Sequence, residues 1–101
     1  MVMVPNKDLY RSWLADVPQD KVFWFPNGRT VKNLDELAAA LREVSEEIFR
    51  HHISKDKNDF SNWVRDVIGD VTLADQLRKA ATQAATARTV KKRLDWLRAR
   101  L

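Results

Sequence analysis

Four residues in one short stretch, His51, His52, Asp56 and Asp59, form the only grouping of metal-ligating or acid–base side chains in this 101-residue sequence. Imidazole nitrogens and carboxylate oxygens can hold a divalent ion or relay a proton. The spacing argues against both. Adjacent histidines on a helix point about 100° apart, so His51 and His52 do not face one ion. The sequence has no His-Glu-x-x-His pattern and no third strong ligand. The expectation is therefore structural. His52 closes the buried stripe of one helix, His51 faces water, and Asn58 or Asp59 caps the next helix. Metal-dependent activity at His51, His52, Asp56 and Asp59 is the alternative.

Other chemistry finds even less support. Asp66 with Asp70, and Glu46 with Glu47, could act as acid and base only in a shared, desolvated cleft. Ser12, Ser45, Ser54 and Ser61 lack a nucleophile-elbow context. Two glycines cannot build a phosphate loop, and zero cysteines exclude thiol nucleophiles and disulfides. The reading is a non-enzymatic domain with no cofactor and no bound metal.

Charge and aromatic residues point to binding instead. The net charge is +4, from 18 Lys and Arg against 14 Asp and Glu. Residues 88–101 hold Arg88, Lys91, Lys92, Arg93, Arg98 and Arg100 against Asp95, a balance of +5, which leaves −1 for the rest. Trp96 lies in that basic segment, and Trp24 and Arg29 lie in a predicted hairpin. Such residues could anchor a protein partner or form a platform on which bases stack. A third use for Trp96 is core packing beneath the hairpin. Protein binding or self-association is the first functional reading, with a leucine stripe at Leu94, Leu97 and Leu101 as a possible dimer face. Nucleic-acid binding through the basic C-terminal helix is the second. A helix-turn-helix across Gly69–Thr72 fails as a DNA reader, because its second helix opens with Asp70 and Asp75 and offers only Gln76, Arg78 and Lys79.

The elements that must hold these residues follow from periodicity and caps. Leu9, Tyr10, Trp13, Leu14 and Val17 predict a helix from Lys7 to about Val17, capped by Asn6 and stopped before Pro18. Aromatic and β-branched residues around Pro26-Asn27-Gly28 predict a β-hairpin at about residues 21–32. Its turn would pair Phe25 with Arg29 and Phe23 with Val31, leaving Trp24 on the other face. Asn33 and Glu36 make a capping-box start, and Leu34, Leu37, Leu41, Val44 and Ile48 predict one helix to about His51 or His52. Phe60, Trp63, Val64, Val67 and Ile68 mark the next helix, with Gly69 as its left-handed stop. A fourth runs from Asp70 or Thr72 to about Thr82, and a fifth over about residues 86–101. The class is mainly α with a minor α+β element: a compact bundle of about five short helices and one small hairpin, in a single domain over residues 1–101.

The block Phe23-Trp-Phe-Pro-Asn-Gly-Arg-Thr-Val-Lys-Asn-Leu-Asp-Glu-Leu37, then Phe49-Arg-His-His52, then Asn58-Asp-Phe-Ser-Asn-Trp-Val-Arg-Asp-Val-Ile-Gly-Asp70 resembles a small, uncharacterised prokaryotic domain family. The resemblance covers about residues 22–80. It implies an accessory module, stand-alone or fused, and carries no activity with it. It also implies that His52, Asn58, Asp59 and Trp63, with Phe60, form one structural unit around the turn between helices, with Gly69 closing the block.

Pro5, Asn6, Lys7 and Asp8 interrupt the N-terminal apolar run after four residues, so no secretion signal is expected. No segment reaches the ~18 apolar residues of a membrane span. A soluble, cytoplasmic domain that does not enter membranes is the expectation.

Overall fold

Asn6 starts the first helix by accepting a hydrogen bond from the Leu9 amide at 3.0 Å. In the computed structural model, which describes residues 6–101, this helix, α1, spans Lys7–Leu14. Pro5 and the short apolar run before it lie outside the described residues. The expected extension of α1 to Val17 does not occur. The Val17 amide instead donates to the Lys32 carbonyl at 2.8 Å, so the chain runs extended along the end of the hairpin. A helical Val17 could not make that bond.

The hairpin forms in the register expected from its turn. Strand β1 (Phe23–Trp24) pairs antiparallel with β2 (Thr30–Val31), with Phe23 opposite Val31 and Trp24 opposite Thr30. The Phe25 amide donates to Arg29 at 2.9 Å, and Gly28, at φ 88°, closes the turn onto Phe25. Phe23, Phe25 and Val31 are buried, while Trp24 stands 64% exposed on the opposite face. A two-stranded ribbon is marginal alone. Here Trp63 holds it from below, its indole N–H donating to the Lys21 carbonyl at 2.8 Å.

The single helix expected from Asn33 to His51 or His52 is two helices. Helix α2 covers Leu34–Glu43 and α3 covers Glu46–His51. Asn33 caps α2 through the Glu36 amide at 2.8 Å, and the Glu36 carboxylate reaches back to the Lys32 amide rather than to the cap itself. Val44 is extended (φ −70°, ψ 153°), and Ser45 caps α3 by accepting from the Ile48 amide. Two forces make the break. Ser45 with Glu46 and Glu47 is a favourable N-terminus, acidic where the helix dipole is positive. The carbonyls freed at the end of α2 are also satisfied at long range, since the Gln83 amide donates to Leu41 at 2.9 Å and to Val44 at 2.8 Å. Without such partners a helix end buried in the core would be costly.

Asn58 caps α4 (Asp59–Trp63), whose last turn widens into a π-helical segment, Val64–Ile68. Gly69 ends it at φ 96°, donating to the Val64 carbonyl at 2.7 Å. Asp70 caps α5 (Val71–Lys79), and Thr82 caps α6 (Gln83–Arg98). Helix α5 thus stops three residues before the expected Thr82, and α6 starts three residues before the expected Thr86. The cap at Thr82 explains both shifts. Ala81, between the two helices, is exposed.

The core is a layer of leucines between α2, α5 and α6, with Leu34, Leu37, Leu41, Leu73, Leu77 and Leu97 fully buried. Leu94 is buried with them, and only Leu101 of the expected dimer stripe is exposed. The stripe is used within the chain. Among the described residues no helix is long and apolar enough to cross a membrane.

Candidate interaction surface

The residues around His52 come together as one unit, and that unit is interior. The His52 ring lies against Phe23, Phe25 and Phe60, with centroids 4.8, 5.3 and 5.4 Å away. Its Nδ1 is 2.9 Å from the Asp59 carboxylate. An ionised carboxylate only accepts, so Nδ1 donates to it. The other ring nitrogen, Nε2, is buried and has no hydrogen-bond partner among the described residues. The Asp59 amide also donates to the His52 carbonyl at 3.0 Å, closing the turn between α3 and α4. Asn58 ties the same turn to the end of α5 through the Leu77 carbonyl. Trp63 sits beside Phe23, and Gly69 ends the block. His51 and Asp56 point to solvent, and no group of three or more metal-type ligands converges among the described residues.

The basic helix is less free than its sequence suggests. Arg93, expected on the outer face of α6, is buried instead. Its Nε donates to Asp70 Oδ2 at 2.7 Å and its Nη2 to Asp70 Oδ1 at 3.0 Å, with the carboxylate fully enclosed. Asp70 simultaneously caps α5 through the Leu73 amide. The guanidinium also lies 4.3 Å from the Trp96 ring centroid and 5.6 Å from that of Trp13. A cation off a helix face enters a core this way only when paired and stacked. The clue was present in the spacing. Arg93 falls three residues after Val90 and four before Leu97, on the buried stripe itself.

Trp96 does not lie under the hairpin. It packs edge-on against Tyr10 of α1 and carries the guanidinium groups of Arg93 and Arg100, the latter 3.6 Å from its ring centroid. Arg98 is held by Asp35 at the start of α2, and that hydrogen bond raises the guanidinium pKa above its ordinary value. Lys91 is paired with Asp95 at 2.7 Å, and Arg29 with Glu43 at 2.8 Å. Arg88 and Lys92 remain exposed and without a carboxylate partner among the described residues.

Trp24 is different. It is the most exposed large apolar side chain among the described residues. Beside it runs a shallow groove of about 470 Å³, with Val17, Val22 and Thr30 among its walls and Asp16, Lys32 and Glu36 around it. Lys32 pairs with Asp16 at 3.8 Å, and Glu36 leaves the groove a formal balance of −1.

Taken together, these elements define a small helical domain carrying a hairpin, with His52, Asp59 and Asp70 built into its packing and one large aromatic side chain facing out. The chain belongs to a family of unknown function, DUF5752, whose model matches residues 17–97. That span reaches beyond the expected residues 22–80 and takes in nearly all of α6. Comparison with curated proteins and with solved structures found no match.

Proposed function

We propose that this domain is a non-catalytic interaction module that binds a protein partner through the outer face of its hairpin, with Trp24 as the anchor. The observation that carries the reading is the 64% exposure of Trp24 beside a groove walled in part by Val17 and Val22. A Trp on a ribbon fixed from below has little conformational freedom to lose, and such residues dominate binding energy when a partner covers them. The partner that fits is a protein segment placing an aliphatic or aromatic side chain in the groove over Val17 and Val22. A non-catalytic role is supported by the use of His52, Asp59 and Asp70 as caps and core partners.

Nucleic-acid binding through α6 has weaker support. Of its five cations, Arg93, Arg98 and Lys91 are already bound to carboxylates. The Trp96 ring already carries the guanidinium groups of Arg93 and Arg100.

The test places a photo-crosslinking amino acid at position 30, exposed beside Trp24 on the same groove, and, as a control, at Leu101, which is also exposed. A protein captured only from position 30 is then purified and titrated against the wild-type domain and Trp24→Ala. Weakening of about 30-fold or more is expected, the size of an interface hot spot. Equal capture from both positions, or equal affinity for Trp24→Ala, sinks the reading.

A further inference from the structure

We propose that the cleft between the α3–α4 turn and the end of α5 binds a small phosphate-bearing molecule, with Arg78 and Lys55 as its principal charge contacts. The cleft is concave, about 680 Å³, and lies apart from the hairpin face and from α6. That volume falls within the usual ~300–1,000 Å³ of small-molecule sites.

Its charge is one-sided. Lys55, Lys57, Arg65 and Arg78 line it against Asp56, a formal balance of +3. Lys55 and Arg78 have no carboxylate partner among the described residues. Arg65 is directed by Asp66 through Nε and by Asn62 through Nη2, which leaves Nη1 without a hydrogen bond among the described residues. The Asn62 carbonyl oxygen is thereby occupied, so its amide nitrogen is a further available donor. Lys57 is shared with Asp59 at 3.4 Å.

The walls are fixed before any ligand arrives. Ser54 and Lys57 exchange two backbone hydrogen bonds, at 2.9 and 3.4 Å, and Ile53 pairs with Asn58 as a β-bridge. The Asn58 amide holds the Leu77 carbonyl at 3.1 Å, and Ser61 Oγ holds the Ala74 carbonyl at 2.7 Å. The turn and α5 are therefore pinned to α4, and binding need not order them.

Two guanidinium and two ammonium groups on one lining, those of Arg78 and Lys55 free of carboxylates among the described residues and those of Arg65 and Lys57 shared with Asp66 and Asp59, suit a dianion. A phosphate monoester carries about −1.5 to −2 charges at neutral pH and offers three acceptor oxygens. A single carboxylate would leave most of these donors unmet. No aromatic side chain lines the cleft, so it has no platform on which the bases of a nucleic-acid strand could stack.

The experiment is a titration of the ¹⁵N-labelled full chain with inorganic pyrophosphate, followed by amide shifts. Saturable shifts confined to residues 53–58, 62–65 and 78–81 are expected. Arg78→Gln and Lys55→Gln, both at exposed positions, should each weaken binding about tenfold, the size of a lost charge-assisted hydrogen bond. Arg88→Gln on α6 should leave it unchanged. An absence of saturable shifts, or equal weakening by Arg88→Gln, overturns the site. Citrate binding as tightly as pyrophosphate overturns the phosphate assignment. Tighter binding of an octathymidine or a tetraglutamate peptide, with the same shifts, reassigns the cleft to a macromolecule and overturns the small-molecule proposal.

Discussion

Two aspartate pairs at helix starts in this domain use the same device and reach different degrees of completion. In each, an aspartate at the start of a helix reaches a basic side chain from another element. Asp70 caps α5 and takes Arg93 from α6; Asp59 opens α4 and takes His52 from the end of α3. The Arg93 pair is fully satisfied, with two hydrogen bonds to the carboxylate and aromatic rings beside the guanidinium. The His52 pair is half-satisfied. Its carboxylate is a third exposed, and the second ring nitrogen meets only aromatic surroundings. The permanently charged group received complete compensation, whereas the imidazole, which can stay neutral, did not need it.

The largest effect should come from breaking the complete pair. Arg93→Ala leaves the Asp70 carboxylate enclosed and without its counter-charge, at a cost of about 3–5 kcal/mol. Thermal melting should show a fall of about 15 °C or more for a domain of this size. A fall of a few degrees would mean that Asp70 rehydrates easily and the pair is not sealed.

Asp59→Ala should cost less, about 1–3 kcal/mol, because it strands the His52 Nδ1–H near a water-accessible edge. Urea denaturation of the variant against wild type measures this. A cost matching that of Arg93→Ala would erase the distinction between the two pairs.

The smallest effect is expected for His52→Phe, within about 1 kcal/mol of wild type. The substitution removes a buried ring nitrogen without a partner and adds a ring to an aromatic cluster, while Asp59 keeps Lys57 and solvent. A loss above about 2 kcal/mol would show that the His52–Asp59 bond contributes well beyond its geometry.

How much of this was legible in the sequence can be followed residue by residue. Asn6 and Asn33 were readable as caps, and Asn58 and Asp70 each as one of two candidates, because capping is a bond between a side chain and an amide two or three residues on. The hairpin register followed from Pro26-Asn27-Gly28 for the same local reason. The break at Val44 was half legible. Ser45-Glu46-Glu47 is a helix start, but Leu41, Val44 and Ile48 continue the apolar stripe across it, and the stripe outweighed the cap. The competing term was Gln83, about 40 residues away, which satisfies the carbonyls the break exposes.

The candidate surface was legible only as a set of residue types. Trp24 as the outward residue followed from strand alternation. The basic helix was read from composition, which counts charges without regard to partners. Asp70 is 23 residues from Arg93, and Asp35 is 63 from Arg98. The cationic cleft was invisible for a related reason, since Lys55, Arg65 and Arg78 come from three different elements.

By itself, then, the sequence determined the helical class, the caps, the hairpin and its register, and the left-handed stop at Gly69, because each rests on backbone chemistry within a few residues. Tertiary structure alone decided which cations of α6 stay in water, where Trp96 packs, and that α2 and α3 are separate. Those outcomes depend on which carboxylates and carbonyls folding brings within 3 Å, and desolvation makes that proximity count.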